Sequence, residues 1–424
     1  MSSPVEGTAA RSVTRLEARS REHETLSSTV VLLTIGAVVI TVLAAITFSA
    51  QAAVQQPSTS SAGHHPVRRP GQAQPPTVTP ALTFGIYPGG GAGTVGPAGR
   101  TVAEDPAKRL AALRQLRVPG RPFVLHIFAS YTGPQSVPPA EQVGHDIAVY
   151  TAAGFQVELV LTYRPADGAA AADVAGFADF ARSALASFGS NPRFVALQVT
   201  NEANVQGAPG AADGAYAGAE DALIQGVVAA KAEARTRGFD HVRVGFNWAY
   251  SSGPRETAFW SRLGRVGGAT FRNSLDWVGL DLYPETWGPT VRGDLAAATR
   301  ETVLAALTAL RSRYMPLADL PSGVPLHISE NGYPTGPGRT EAMQVTVMKA
   351  AVSTVDVNRS TYHVTDYRWF DLRDANSSSA GFESRYGLMR DDYTPKAAFA
   401  TYRNLVAAFG GPPPERRASS SRRR

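Results

Sequence analysis

From Leu82 onward, short apolar runs rich in β-branched and aromatic residues alternate with longer Ala- and Leu-rich segments of helical period, and the alternation repeats eight times. The pattern predicts strands over Leu82–Tyr87, Phe123–Phe128, Gln156–Thr162, Phe194–Thr200, His241–Asn247, Trp277–Leu282, Leu326–Ser329 and Val364–Phe370. It predicts helices over Pro106–Leu116, Glu141–Ala153, Ala172–Phe188, Ala219–Arg237, Glu256–Leu263, Leu295–Arg313, Glu341–Val357 and Pro395–Phe409. Eight βα units in series, with no second shift of composition, predict a closed (β/α)8 TIM barrel of the α/β class rather than an open doubly wound sheet. Reactive side chains of such a barrel gather at the carboxyl ends of its strands.

Two strand ends carry acids. The run FVALQVTNEAN (Phe194–Asn204) meets Asn201 and Glu202, and VPLHISENGYP (Val324–Pro334) meets Glu330. Either acid alone reads as well as a helix N-terminal or solvated loop residue. At the ends of two strands of one barrel they can flank a single scissile bond. Asn201 offers an amide for a substrate hydroxyl, and Asn331-Gly332-Tyr333-Pro334 makes a sharp exit from the strand. Glycoside cleavage needs one protonated carboxyl for the leaving oxygen and one carboxylate for the anomeric carbon. Hydroxyl donors beside Glu330 would keep it ionised, whereas Glu202, facing a second negative charge in a partly apolar mouth, would hold its proton longer.

Other chemistries lack their residues. The chain has no cysteine, so thiolate metal sites, thiol nucleophiles and disulfides are excluded. Gly91-Ala92-Gly93-Thr94-Val95-Gly96 fits a dinucleotide fingerprint, but Pro97 and Gly99 break the helix it requires and the next strand ends in no acid. That string reads as a loop over the barrel mouth. No nucleophile elbow, phosphate loop or zinc-protease motif occurs. No cofactor or metal is called for: His64 and His65 are neighbours in a flexible segment, and the other histidines are scattered.

The formal charge of +6 lies outside the barrel. Arg68 and Arg69, with five arginines against Glu415 beyond Gly411, account for all of it, and residues 81–410 are neutral. This excludes a nucleic-acid face. Residues 1–28 are polar and read as a cytoplasmic segment. Val30–Ala50 is an uncharged run about long enough to cross a bilayer, so 29–50 is expected to be a transmembrane signal anchor. Arg11, Arg15, Arg19 and Arg21 precede it and no Lys or Arg follows until Arg68, which predicts the N-terminus inside and the barrel outside. The alternative is a signal peptide cleaved near Ala52. Residues 51–80 read as a Pro/Ser-rich disordered linker, 81–410 as the catalytic domain and 411–424 as a disordered basic tail.

With TNEAN at strand four, ISENGYP at strand seven, and YRWFDLRD followed by YGLMRDDYTPKAAFATYRNL at the end, residues 82–409 resemble the clan of retaining (β/α)8 glycoside hydrolases that includes cellulases, β-mannanases, β-glucosidases and β-galactosidases. The resemblance implies Glu202 as acid/base, Glu330 as nucleophile, and Asn201 holding the sugar 2-hydroxyl. It also implies Tyr283 hydrogen-bonded to the nucleophile and Trp369 stacked on sugar, although a Trp between Arg368 and Phe370 can instead point into the helix layer. Trp287 and Asn247 complete the expected substrate-binding set. The ends of strands two and three, Phe128–Tyr131 and Tyr163–Pro165, depart from the His or Arg arrangements of many clan members.

The function expected is a membrane-tethered, extracytoplasmic retaining β-glycosidase acting on a neutral β-linked oligo- or polysaccharide. A row of aromatic residues, Tyr131, Tyr163, Trp248, Tyr250, Trp287 and Trp369, is expected to line the mouth, while Arg164, Arg373 and Arg385 could make an acidic-sugar subsite if they converged there. The alternatives are a catalytically inactive carbohydrate-binding or wall-associated barrel, and a structural surface protein acting through its tether and tail.

Overall fold

The computed structural model describes residues 81–91, 101–166, 172–287 and 293–411. Their strands are β1 (Thr83–Ile86), β2 (Phe123–Tyr131), β3 (Gln156–Tyr163), β4 (Phe194–Val199), β5 (Arg243–Ala249), β6 (Trp277–Leu282), β7 (Leu326–Asn331) and β8 (Val364–Trp369). All pair in parallel in sequence order, and β8 returns to β1 to close the barrel. The principal helices are α1 (Pro106–Leu116), α2 (Pro139–Ala152), α3 (Val174–Phe188), α4 (Ala219–Thr236), α5 (Pro254–Arg262), α6 (Leu295–Ala309), α7 (Glu341–Tyr362) and α8 (Ala397–Phe409). The expected cytoplasmic segment, anchor and linker, nearly all of the tail, and most of the Gly91–Gly96 string lie outside the described residues. Among the described residues no helix is long and apolar enough to cross a membrane.

The helices start where short polar side chains can cap them. Asp105, Asp173, Asp294 and Thr340 each accept main-chain N–H groups of the first turn of α1, α3, α6 and α7, a contribution of roughly 1 kcal/mol apiece. Apolar periodicity ends α7 at Val357, but the helix continues to Tyr362 with Val357 79% exposed. The Asp356–Arg359 ion pair and the Thr308–Tyr362 hydrogen bond support that last stretch, and His363 terminates it in the left-handed conformation.

The apolar core sits between the sheet and the helices, with Phe84, Leu113, Leu185, Leu223, Val303 and Tyr402 fully buried. The barrel interior is polar. Near the amino ends of the strands, Arg368 reaches Glu158 at 3.2 Å and Asp366 at 2.9 Å. Arg243 and His327 close on Asp366 from the other side, and Trp277 lies flat on the His327 ring at 4.2 Å. Gly85 makes room for this layer, because a β-carbon there would come within 2.6 Å of Arg368 Cδ.

Candidate active site

Glu330 lies within β7, not beyond it. Leu280 pairs with Ile328 but Asp281 pairs with Glu330, so Ser329 forms a one-residue bulge. Successive residues of a regular strand face opposite ways, and the bulge turns both Ser329 and Glu330 inward. Ser329 Oγ donates to Asp281 Oδ1 at 2.6 Å, and Tyr283 Oη donates to Glu330 Oε2 at 2.5 Å. On the opposite side Glu330 Oε1 stands 3.9 Å from His126 Nε2.

Glu202 is delivered by a bent main chain. Thr200 and Glu202 adopt φ of 66° and 51°, left-handed conformations that cost about 1–3 kcal/mol each outside glycine. Asp213 clasps this turn: its Oδ2 accepts the N–H groups of Tyr163 at 2.7 Å and Asn201 at 2.8 Å, and its own N–H donates to the Asn201 carbonyl. Asn247, on β5, completes the hold. Its Oδ1 accepts the Glu202 N–H at 2.8 Å, while its Nδ2 donates to Asn201 Oδ1 and to Asp281 Oδ2.

These devices gather Glu202, Asp281 and Glu330 so that one oxygen of each lies within 4.8 Å of the others. A trio this close could chelate a cation, but Tyr283, Ser329 and Asn247 already donate to Glu330 and Asp281, which fits the group to moving protons. Burial, then Glu330 and Asp213, push the Glu202 carboxyl up to about 8 against the pull of Arg164. Asp281 is raised well above the usual carboxylate range by burial, Glu330 and Glu202. Tyr283 is likewise raised by burial and by Glu330, so its hydroxyl stays a donor. Asp213 is pushed up to about 7 by burial, against the two N–H groups it accepts.

The expected site residues divide. Glu202, Glu330, Asn201 and Tyr283 come together, and Asn201 retains one amide hydrogen beyond its bond to the Ala211 carbonyl. Asn247 is fully buried with its oxygen and amino group engaged by protein partners, so it positions the acid and does not reach substrate, correcting its expected role. Trp369 is also corrected: it faces outward, fully buried against Tyr402 at 6.2 Å. Strand alternation puts Phe370 on the mouth side, where it stacks on Tyr87 at 5.1 Å and meets the edges of Tyr283 and Tyr386. Trp287 is 63% exposed, edge-on to Phe382 at the rim.

The expected aromatic row does not form. Tyr131 and Tyr163 stack together over Phe177 in the helix layer, and Trp248 is buried with its indole N–H on Glu256. Nor do the three arginines converge as a free subsite. Arg373 is buried and donates to the carbonyls of Val102, Ala103 and Asp391, and Arg164 donates to the Ala211 carbonyl beside Asp213. Arg385 packs beside Gly336, where a β-carbon would meet its side chain. His126, Asp281, Asp213 and Phe370 were missed by sequence reasoning; inward strand parity would have singled out His126, Asp281 and Phe370. A cavity of about 430 Å³ between Tyr131, Pro138, Asp173 and Phe180 is lined by none of Glu202, Asp281 and Glu330.

No protein-family model and no curated protein matches the chain. Among solved structures, a β-glucosidase from Exiguobacterium marinum aligns with a TM-score of 0.50 at 13% identity, covering 71% of this chain and 86% of that one. A β-glucosidase designated 1317 aligns with a TM-score of 0.50 at 17% identity, covering 71% and 87%. At these identities the likeness shows the barrel fold alone.

Proposed function

We propose that this chain is a retaining β-glycoside hydrolase in which Glu330 attacks the anomeric carbon and Glu202 acts first as acid, then as base. One observation carries the reading: a carboxyl that keeps its proton up to about 8 faces, within 4.8 Å, a second carboxylate pinned by a tyrosine hydroxyl. Retaining enzymes separate the two carboxyl groups by about 5–5.5 Å, inverting ones by about 6.5–9.5 Å to admit water. Here the close approach favours double displacement.

In the first step Glu202 gives its proton to the glycosidic oxygen as Glu330 forms a bond to the anomeric carbon, and the alcohol leaves. In the second, water attacks that carbon, Glu202 takes the water proton, and the bond to Glu330 breaks. Tyr283 holds the attacking carboxylate, and Asn201 and Phe370 are placed to meet the sugar. Two solved structures of similar fold bear the name β-glucosidase, which agrees with this reaction class.

The substrate proposed is a neutral β-linked glycan, supported by the neutral sequence of 81–410 and the engagement of Arg164 and Arg373 by protein groups. Tethering through Val30–Ala50 with the barrel outside the cytoplasm is proposed from the sequence alone, with protease release from intact cells as its test. The central test is trapping. An aryl 2-deoxy-2-fluoro-β-glycoside should leave its glycosyl mass on the peptide containing Glu330. Glycan binding without turnover of any aryl β-glycoside would favour the inactive-barrel alternative.

A further inference from the structure

We infer that His126 is a positioning residue for Glu330: a buried imidazolium, fixed by Glu158, that holds the Glu330 carboxylate from the side opposite Tyr283. His126 on β2 and Glu158 on β3 occupy paired register positions, and His126 Nδ1 meets Glu158 Oε1 at 2.7 Å. That bond turns Nε2 toward the mouth, where it has no hydrogen-bond partner and stands 3.9 Å from Glu330 Oε1. A ring only 1% exposed does not leave an N–H unanswered without reason. Catalytic hydrogen bonds are often long in the free enzyme and tighten in the complex with substrate. Among the described residues, His126 is the basic group found within 4 Å of Glu330.

Charge balance in the interior points the same way. Glu158 and Asp366 are opposed by Arg368 and Arg243, and burial pushes His327 down to about 3, so it is neutral. These four charges cancel, and the charge of His126 is left for the mouth. The groups facing it are Glu158 from β3, Glu330 from β7 and Asp281 from β6, with Arg368 from β8 and His327 from β7 behind Glu158 and the Phe128 ring edge-on from its own strand. Burial would lower the imidazole, but the hydrogen bond to Glu158 and the nearby Glu330 carboxylate override it and hold the ring at about 9. Glu158 is thereby a lock on both the orientation and the charge of His126.

The role rests on Glu330 as nucleophile, whereas the protonation state can be read without turnover. In the full chain labelled with 15N-histidine, one imidazole should stay doubly protonated through pH 7.5 and titrate near 9. In Glu330→Gln that titration should fall by about one unit, and in Glu158→Gln by at least as much. If no imidazole titrates above about 8, or the high one ignores Glu330→Gln, the inference is overturned. The kinetic arm uses His126→Gln with an aryl β-glycoside. Its kcat should fall about tenfold with little change in KM, and the acid limb of kcat/KM should move up by about one unit. A lowered melting temperature with an unmoved acid limb would assign His126 to structure alone. A wild-type chain that hydrolyses nothing would sink the proposed function, and the titration would still decide the state of His126.

Discussion

Two groups of ionisable side chains share the barrel interior, and they solve burial in opposite ways. Toward the amino ends of the strands, Glu158 is fully buried yet held at about 2, because Arg368 and His126 override the penalty of burial. Toward the carboxyl ends, Glu202 is only partly buried yet is pushed up to about 8, because burial is reinforced by Glu330 and Asp213. The same side chain in the same barrel thus differs in acidity by orders of magnitude, and its charged neighbours decide the sign. In the lower group each acid meets a cation; in the upper one the acids have neutral donors but face one another, which pushes their acidity toward the range that proton transfer requires.

The sharpest break would come at Glu330. Glu330→Gln should reduce turnover of aryl β-glycosides on the order of 10⁴-fold or more while leaving thermal stability close to wild type. Near-wild-type turnover would dissolve the functional half of the comparison. Glu202→Gln should lose natural glycosides but spare dinitrophenyl glycosides, whose leaving group needs no proton.

The lower group is broken at Arg368. Arg368→Met leaves Glu158 and Asp366 buried with reduced compensation, and urea unfolding should register a loss of about 3–5 kcal/mol. A loss below about 1 kcal/mol would mean that these acids do not depend on Arg368 as described.

The pH dependence sharpens the contrast, because the two linkages run in opposite directions. The folded-state value of Glu158 is depressed, so its stabilisation is complete above its unfolded value near 4.5 and is lost as pH falls toward about 2. That of Glu202 is raised, so its contribution is complete below about 4.5 and is lost as pH rises through about 8. Glu202→Gln should therefore raise the melting temperature by about 2–4 °C at pH 8.5 and leave it unchanged at pH 4.5. The same proton sets activity, and kcat/KM should decline on the basic side near pH 8. A profile flat to pH 10 would remove Glu202 as the acid.

The smallest effect separates two adjacent aromatic residues. Phe370→Ala should raise KM roughly three- to tenfold through lost ring contact with sugar. Trp369→Phe should leave KM alone and lower only stability, by about 1–2 kcal/mol.

The barrel was legible because eight short apolar runs each had a helical segment behind them, and strand positions needed only local pattern. The two glutamates were legible because each follows an apolar run, and their partner Tyr283 came with the family resemblance. What local pattern concealed was direction. Reading Trp369 as the sugar platform ignored that Arg368 must point inward to meet Glu158, which sends its neighbour outward. Tyr131, Tyr163 and Trp248 lie past the predicted ends of their strands in sequence, but β2 and β3 run on to include Tyr131 and Tyr163 and β5 runs on to Ala249, so strand geometry turns all three rings into the helix layer. His126 and Asp281 derive their meaning from strands far apart in sequence, and the Ser329 bulge depends on pairing register, which no single strand reveals.

The Asp213 clasp has a consequence for how such a site can be altered. It grips main-chain N–H groups and a carbonyl, so the seat of the acid does not depend on which side chains the adjoining loop carries. Gln206, Gly207 and Pro209, between the acid and the clasp, are exposed. Exchanging residues in this short exposed span leaves the main-chain bonds that seat Glu202 untouched. Under the proposed function, exchange of this span should alter glycan preference while the reaction stays with Glu202 and Glu330, because the Asp213 bonds to Tyr163 and Asn201 are left intact.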